Sequence, residues 1–518
     1  MHTSCYDEVR KYQSPIRVVA AFLFRSRETK IQTIEQLTAQ LAERDEQIAQ
    51  LQRREHAQQQ RYTAAVQCID ELVGQLEAAR QSVNLPDDPP LGSHGYGAHM
   101  ITLAVNLAQS VGFRGADRAL ELFFAWLGVT MNTPTRNAIC GWMQRLGLDA
   151  MQQPWKPEGD WVMMVDHSAQ IGSEKVMAVF GVEVSALPPV GETLKHKDVR
   201  VLEVKPGTQW KTENMAAEYQ ALAERHGTPR AVLADGAVEL RDGAKCLQTQ
   251  DNDTIVLRDF KHVAANILKS VVGKDPRFQE VTGKMGSTRS AIQQTELAHL
   301  TPPTLRNKSR FMNLAATLRW MTLIVWLLRN PDAKGRAGIA ENRFQEKLGW
   351  VAEYAEEIAV WSECQEVVSR SVTFINTQYL TRGASSALRT AIGELQHAKS
   401  REVADRLVNF VSESEQLLRV GERLPMSTEI LESAFGLYKQ REGQQSKSGF
   451  TSLLACLPAL LRPATAEGVR SAFARVSAKD VKAWSKKHFP STVTSRRQSA
   501  YAEQKRATRR ATAGNAAE

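Results

Sequence analysis

Trp161 to Val165 (WVMMV) is wholly apolar and runs straight into Asp166. A carboxylate at the tip of a buried segment is costly unless a cation sits against it, so Asp166 points to a site rather than to packing. Arg230-Ala-Val-Leu-Ala-Asp235 repeats the pattern with Asp235 at its end. A third acid, Glu432, lies in Thr428 to Lys439, where Ile430, Leu431, Ala434, Phe435 and Tyr438 recur at helical spacing. Three carboxylates from separate segments can hold two divalent ions about 3.5–4 Å apart, which stabilise the attacking and leaving oxygens of an in-line phosphoryl transfer. Hard oxygen ligands suit Mg²⁺ or Mn²⁺, so two such ions are the expected cofactor and Asp166, Asp235 and Glu432 the candidate catalytic and metal-binding residues. Lys439 lies two helical turns beyond Glu432 on the same face and could contact a nucleic-acid phosphate. Two assignments stay open: Asp259, which also ends an apolar run (Thr254-Ile-Val-Leu-Arg), could replace Asp235, and Glu429 could replace Glu432. Taken singly, each acid is an ordinary turn or cap residue; it is the joint pattern that carries weight.

The segments around these acids define the elements that must position them. Trp161 to Val165, Val176 to Val184 and Val199 to Val204 are β-type runs joined by short turns, as in an antiparallel meander. A helix from Thr212 to about His226, the run to Asp235, a short helix from Val238 to Leu247, the run to Asp259 and a helix from Phe260 to Val272 follow. The order βββαβαβα predicts a mixed sheet with helices packed on it, over 155–272. Residues 273–424 are helical by period throughout and hold Trp320, Trp326, Trp350 and Trp361, which fits an all-helical insertion with a tryptophan-rich core. The segment 425–465 then returns with the helix that bears Glu432.

Upstream, 1–27 is a short N-terminal segment, and 28–85 carries a seven-residue apolar repeat. Position a runs through Ile34, Leu41, Ile48, Glu55, Tyr62, Ile69 and Leu76, and position d through Leu37, Arg44, Leu51, Gln58, Ala65, Leu72 and Ala79, with a polar break near Arg44 to Gln58. A coiled coil and self-association into at least a dimer are expected, a single long helix docked on its own protein being the alternative. The breaker-rich stretch 86–98 is a linker. In 99–150, two helical stretches flank Gly128-Val-Thr-Met-Asn132, with Thr133 as N-cap and Pro134 as first helical residue of the second. This is a helix-turn-helix pattern, in which Arg136, Asn137 and Gln144 are the candidate groove-facing residues. Residues 466–518 form a basic tail: from Lys479 onward there are ten Lys/Arg against three Asp/Glu.

Composition narrows the class. With 518 residues, 42% hydrophobic and 24% charged, the chain has apolar material for several domains. No run approaches the roughly 20 apolar residues of a membrane span, so no membrane partner is expected. The segment Pro15 to Phe24 is preceded by acids and makes a poor signal peptide, which places the protein in the cytoplasm, associated with the nucleoid. Six cysteines stand singly, without zinc-finger spacing, and this argues against structural zinc and disulfides. The net charge of +9, with its excess in the tail, is a nucleic-acid-like footprint, although basic tails are also common as plain solvated ends; read with the helix-turn-helix pattern it makes double-stranded DNA the expected partner.

The segments VMMVDHSAQIG, AVLADGAVEL and TEILESAFGLYKQ resemble the three acidic blocks of the DDE transposases of bacterial insertion sequences. The acid-to-acid spacings are 69 and 197 residues, similar to members whose core is interrupted before the Glu helix by a large helical insertion. Asp259-Phe-Lys-His262 resembles the Asp-x-x-His element of Mutator-like transposases, which implies that Asp259 and His262 support the site. The Tyr and Arg that precede the Glu in some families are replaced here by Pro425 and Thr428. The resemblance implies a multidomain α+β protein: an N-terminal coiled coil, a helix-turn-helix domain, and a ribonuclease H-like mixed-sheet core interrupted by the all-α insertion. It also implies a transposase that binds terminal inverted repeats and carries out Mg-dependent cleavage and strand transfer. A domesticated or regulatory DNA-binding protein with a silent core is the alternative, and a structure-specific nuclease on the same fold is a third.

Overall fold

A computed structural model describes residues 44–45, 47–74, 88–92, 95–171, 174–208, 210–250, 252–304, 311, 314–333, 338–443, 453–489 and 497–506. They fall in two compact units, Met1–Asp87 and Asp88–Glu518. In the first unit, 47–74 form one continuous helix, α1. The heptad residues Ile48, Leu51, Tyr62, Ile69 and Leu72 are all exposed on it. The rest of the expected coiled coil, and the N-terminal segment before it, lie outside the described residues.

In the second unit the sheet comprises β1 (Trp161–Ile171), β2 (Glu174–Glu183), β3 (Arg200–Gly207), β4 (Ala231–Ala234) and β5 (Ile255–Arg258). Their spatial order is β3-β2-β1-β4-β5, with β1, β2 and β3 antiparallel and β4 and β5 parallel to β1. The central strand has no polar residue before Asp166 because both its faces are covered. Trp161, Met163 and Val165 pack with Met215, Tyr219, Leu222 and Leu240 from helices α4 (Thr212–His226) and α5 (Val238–Ala244). Val162 and Met164 face the opposite way, into the larger core.

After α6 (Phe260–Val271) the insertion consists of α7 (Pro276–Ile292), α8 (Leu314–Arg329), α9 (Glu341–Leu348), α10 (Ala355–Gln378), α11 (Ala384–Ile392) and α12 (Ala398–Glu415). Trp320 and Trp361 are buried in it and Trp350 packs half-buried beside Trp320 and Tyr354, but Trp326 is exposed and is not part of this core. It is not wholly helical. A two-residue ribbon, β6 (Leu380–Thr381) with β7 (Arg423–Leu424), pairs antiparallel and returns the chain to the core. Strands this short leave no periodic signature. The chain then enters α13 (Glu429–Gly443), whose buried residues include all five of the expected apolar stripe.

The helices α2 (Ala98–Trp126) and α3 (Arg136–Gln152) depart from the helix-turn-helix expectation. The connection from Leu127 to Thr135 is longer than the roughly three- to four-residue turn of that motif. Thr135, not Thr133, caps α3, accepting from the Ala138 amide at 3.4 Å. Nor is α3 free to enter a groove along its length, because the C-terminal segment packs over it. Here 466–518 is not simply a tail: after α14 (Leu457–Leu461) it forms α15 (Ala466–Arg475) and α16 (Ala478–His488). Arg145 of α3 donates to the Val476 carbonyl at 2.8 Å and lies over the Phe473 ring, while Arg475 makes a two-armed ion pair with Asp149, both arms 2.8 Å. Gly147 admits the neighbouring backbone, since a Cβ there would lie 1.9 Å from the Ala455 carbonyl oxygen. The end of the expected linker also folds: the Asp88 carboxylate accepts from the His99 and Met100 amides and caps α2. Among the described residues no helix is long and apolar enough to cross a membrane.

Candidate active site

The parallel register places three acids at one level. Val165 pairs with Ala234 and Ala234 with Arg258, so the next residues, Asp166, Asp235 and Asp259, stand side by side where β1, β4 and β5 leave their shared ladder. Alternation along the strand turns Asp166 to the side of Val162 and Met164, the side on which α13 packs against β1. It sends His167 the other way, where its ring stacks on Trp210 and its Nδ1 lies 3.8 Å from Glu239. Asp166 is buried, and Asp235 is half-buried with one oxygen accepting from the Ala237 amide at 2.7 Å, which fixes the turn into α5.

Asp259 has a different task. Its side chain is 1% exposed, and its own amide donates to Ala234 O at 2.7 Å. One carboxylate oxygen accepts from the Thr428 amide at 2.9 Å, and the other from the His262 amide at 2.9 Å and from the His262 ring. It thereby ties the start of α6 to the start of α13, reinforced by Phe260 N donating to Met426 O at 2.9 Å. With both oxygens committed, Asp259 is a positioning residue. His262 is half-buried, and burial works against its charge; the bond to Asp259, and then the charges of Asp259, Asp235 and Asp166, reverse this and push its pKa up to about 9. The imidazolium thus lies within the field of Asp259, Asp235 and Asp166.

Glu432 and Glu429 both lie in the first turn of α13. They are joined by a cation that the sequence reading passed over: Lys261 Nζ is 2.7 Å from Glu429 Oε1 and 2.7 Å from Glu432 Oε2. Burial disfavours the ammonium, but the hydrogen bonds to Glu429 and Glu432 outweigh it and raise its pKa. The second Glu429 oxygen accepts from Asn376 of α10, a residue of the insertion. Lys261 sits inside the quoted Asp259-Phe-Lys-His262 element, so a cation flanked by an acid and a histidine was the available signal. Asn376 gave none, being one polar residue on a long helix.

Among the described residues no three His, Cys, Asp or Glu side chains form a group poised to hold an ion. Asp166 and Asp235 carry oxygens of the type a hard divalent ion takes and are neighbours in the register, whereas the Glu432 carboxylate is held by Lys261. Lys439 is exposed two turns further along α13. Arg136 and Asn137 are exposed at the start of α3, where the Asp117 carboxylate accepts from the Arg136 amide at 3.0 Å; Gln144 is half-buried.

No family model matches the chain, and no curated protein matches it. Several solved chains are similar. One of them is a chain of the Drosophila P element transposase strand transfer complex, 11% identical, with a TM-score of 0.39, over 77% of this chain and 99% of that one.

Proposed function

We propose that the protein is a transposase that binds the terminal inverted repeats of a mobile element, hydrolyses a phosphodiester at each end and joins the freed 3′-OH to target DNA. One observation carries this: the parallel register sets Asp166, midway along β1, beside Asp235 at the end of β4, and the helix that bears Glu432 packs against β1. The strand order β3-β2-β1-β4-β5, with two parallel strands added to an antiparallel meander, supports a ribonuclease H-like core. Asp166, Asp235 and Glu432 would hold Mg²⁺ or Mn²⁺, two ions, which when bound supply Lewis-acid stabilisation of the attacking and leaving oxygens. Asp259 and His262 keep the starts of α6 and α13 in register with the strand ends. The exposed Lys439, Arg136 and Asn137 would contact DNA, with Gln144 a weaker candidate where α3 turns inward. A second copy would pair along α1, and a cytoplasmic, nucleoid-associated location follows from this role.

The test is cleavage and joining of DNA ends by the full chain in Mg²⁺. Asp166→Asn, Asp235→Asn and Glu432→Gln should each abolish both steps; retention of cleavage by any two of them would sink the proposal. A regulatory DNA-binding protein with a silent core is the second reading, favoured by the ion pair that occupies Glu432. It predicts sequence-specific binding with no cleavage in Mg²⁺ or Mn²⁺.

A further inference from the structure

Lys261 has no part in the proposed chemistry, yet it is the best-partnered cation at the site. Its ammonium is equidistant, at 2.7 Å, from oxygens of Glu429 and Glu432, and its side chain is only 23% exposed. The next residue, His262, is bonded to Asp259 instead. One turn of α6 thus serves both groups of acids with separate cations. The two glutamates are not equivalent: Glu429 is held by both Lys261 and Asn376, whereas Glu432 is held by Lys261. An ammonium in contact with a carboxylate oxygen repels a divalent ion that approaches the same carboxylate, so the two cations compete for Glu432.

We propose that Lys261 is a built-in stand-in for a divalent ion: it neutralises Glu432 while no DNA is bound, and passes to a DNA phosphate when the ion enters. This rests on the metal-binding role given above to Asp166, Asp235 and Glu432. Glu429, clamped by Asn376, remains as the second anchor of the lysine ammonium during the exchange. Metal loading is then coupled to DNA binding, and the chain stays poorly loaded with metal until substrate arrives.

The experiment is Mn²⁺ titration of the full chain, read from the free-ion signal by electron paramagnetic resonance, with and without a duplex oligonucleotide. Without DNA, Lys261→Met should bind Mn²⁺ about tenfold more tightly than the parent, the size expected on removing a partly exposed competing pair, while Lys261→Arg should behave as the parent. Duplex should tighten the parent by a similar factor and leave Lys261→Met nearly unchanged. Lys261→Gln, which keeps a hydrogen-bonding head without charge, repeats the test should the methionine variant fold poorly, and it should match Lys261→Met. Equal affinity of parent and both neutral variants, with Asp166→Asn abolishing binding, overturns the stand-in role and leaves the metal site intact. Absence of Mn²⁺ binding in every protein, with or without duplex, overturns the metal site itself and the stand-in role with it.

Discussion

Single residues decide how this site is held. Asp259 is buried with both oxygens engaged, so removing it strands the Thr428 and His262 amides at once. Asp259→Ala should cost about 3 kcal/mol or more, seen as a lower urea midpoint with an unchanged slope. Asp259→Asn retains one acceptor and should cost less. A second expectation concerns His226, which is 2% exposed, accepts from Arg225 Nε at 2.8 Å and contacts Trp155 N at 3.1 Å. Burial, then the Arg225 charge, push its pKa down to about 4. Because the folded value lies below the roughly 6.5 of an unfolded histidine, the unfolded chain takes up the proton first. The stability from neutral His226 is therefore complete above pH 6.5 and is lost as pH falls towards 4. Urea midpoints at pH 7 and pH 5 should show this loss, about 1–2 kcal/mol, and His226→Gln should remove most of it. Asp166 and Asp235 were legible in the sequence because each closes an apolar run; Asp235 does follow the end of β4, but β1 continues through Asp166 to Ile171, because β2 pairs with it there. The Lys261 clamp was not, because the contact joins residues 171 positions apart.

Elements explain where the sequence reading failed. The apolar stripe of α13 and the strands around Asp166 follow from periodicity alone, since each buries a regular face. Helix α3 also has a polar and an apolar side, but amphipathicity does not say what covers the polar side. Arg145 and Asp149 look like solvent-facing residues, yet α15 and the turn after it bury both. The supposed tail and the supposed DNA-binding pair are thus parts of one packed assembly. Gly147→Ala tests this contact: the new Cβ would collide with the Ala455 carbonyl, backbone that cannot swing aside. The variant should lose about 1–3 kcal/mol in chemical unfolding, whereas Gly141→Ala on the same helix, with open space at its Cβ, should be neutral or mildly stabilising.

At the scale of the molecule, α1 is the element whose apolar side chains most need a partner. Ile48, Leu51, Tyr62, Ile69 and Leu72 are each at least half exposed, at heptad positions. Sedimentation of the full chain should give a dimer or larger species, and Ile69→Asp with Leu72→Asp should shift it towards monomer without altering the melting of the catalytic unit. On the proposed reading, the fold around the acids sets Asp166 on β1 beside Asp235 after β4, while Lys261 and His262 hold the acids at the starts of α13 and α6. The most direct test is end cleavage by Asp235→Asn in Mg²⁺, with duplex binding followed in parallel by fluorescence anisotropy. A loss of about a thousandfold or more in cleavage with binding kept within a few-fold is expected. Cleavage within about tenfold of the parent would contradict the role of Asp235, and with it the site built around Asp166.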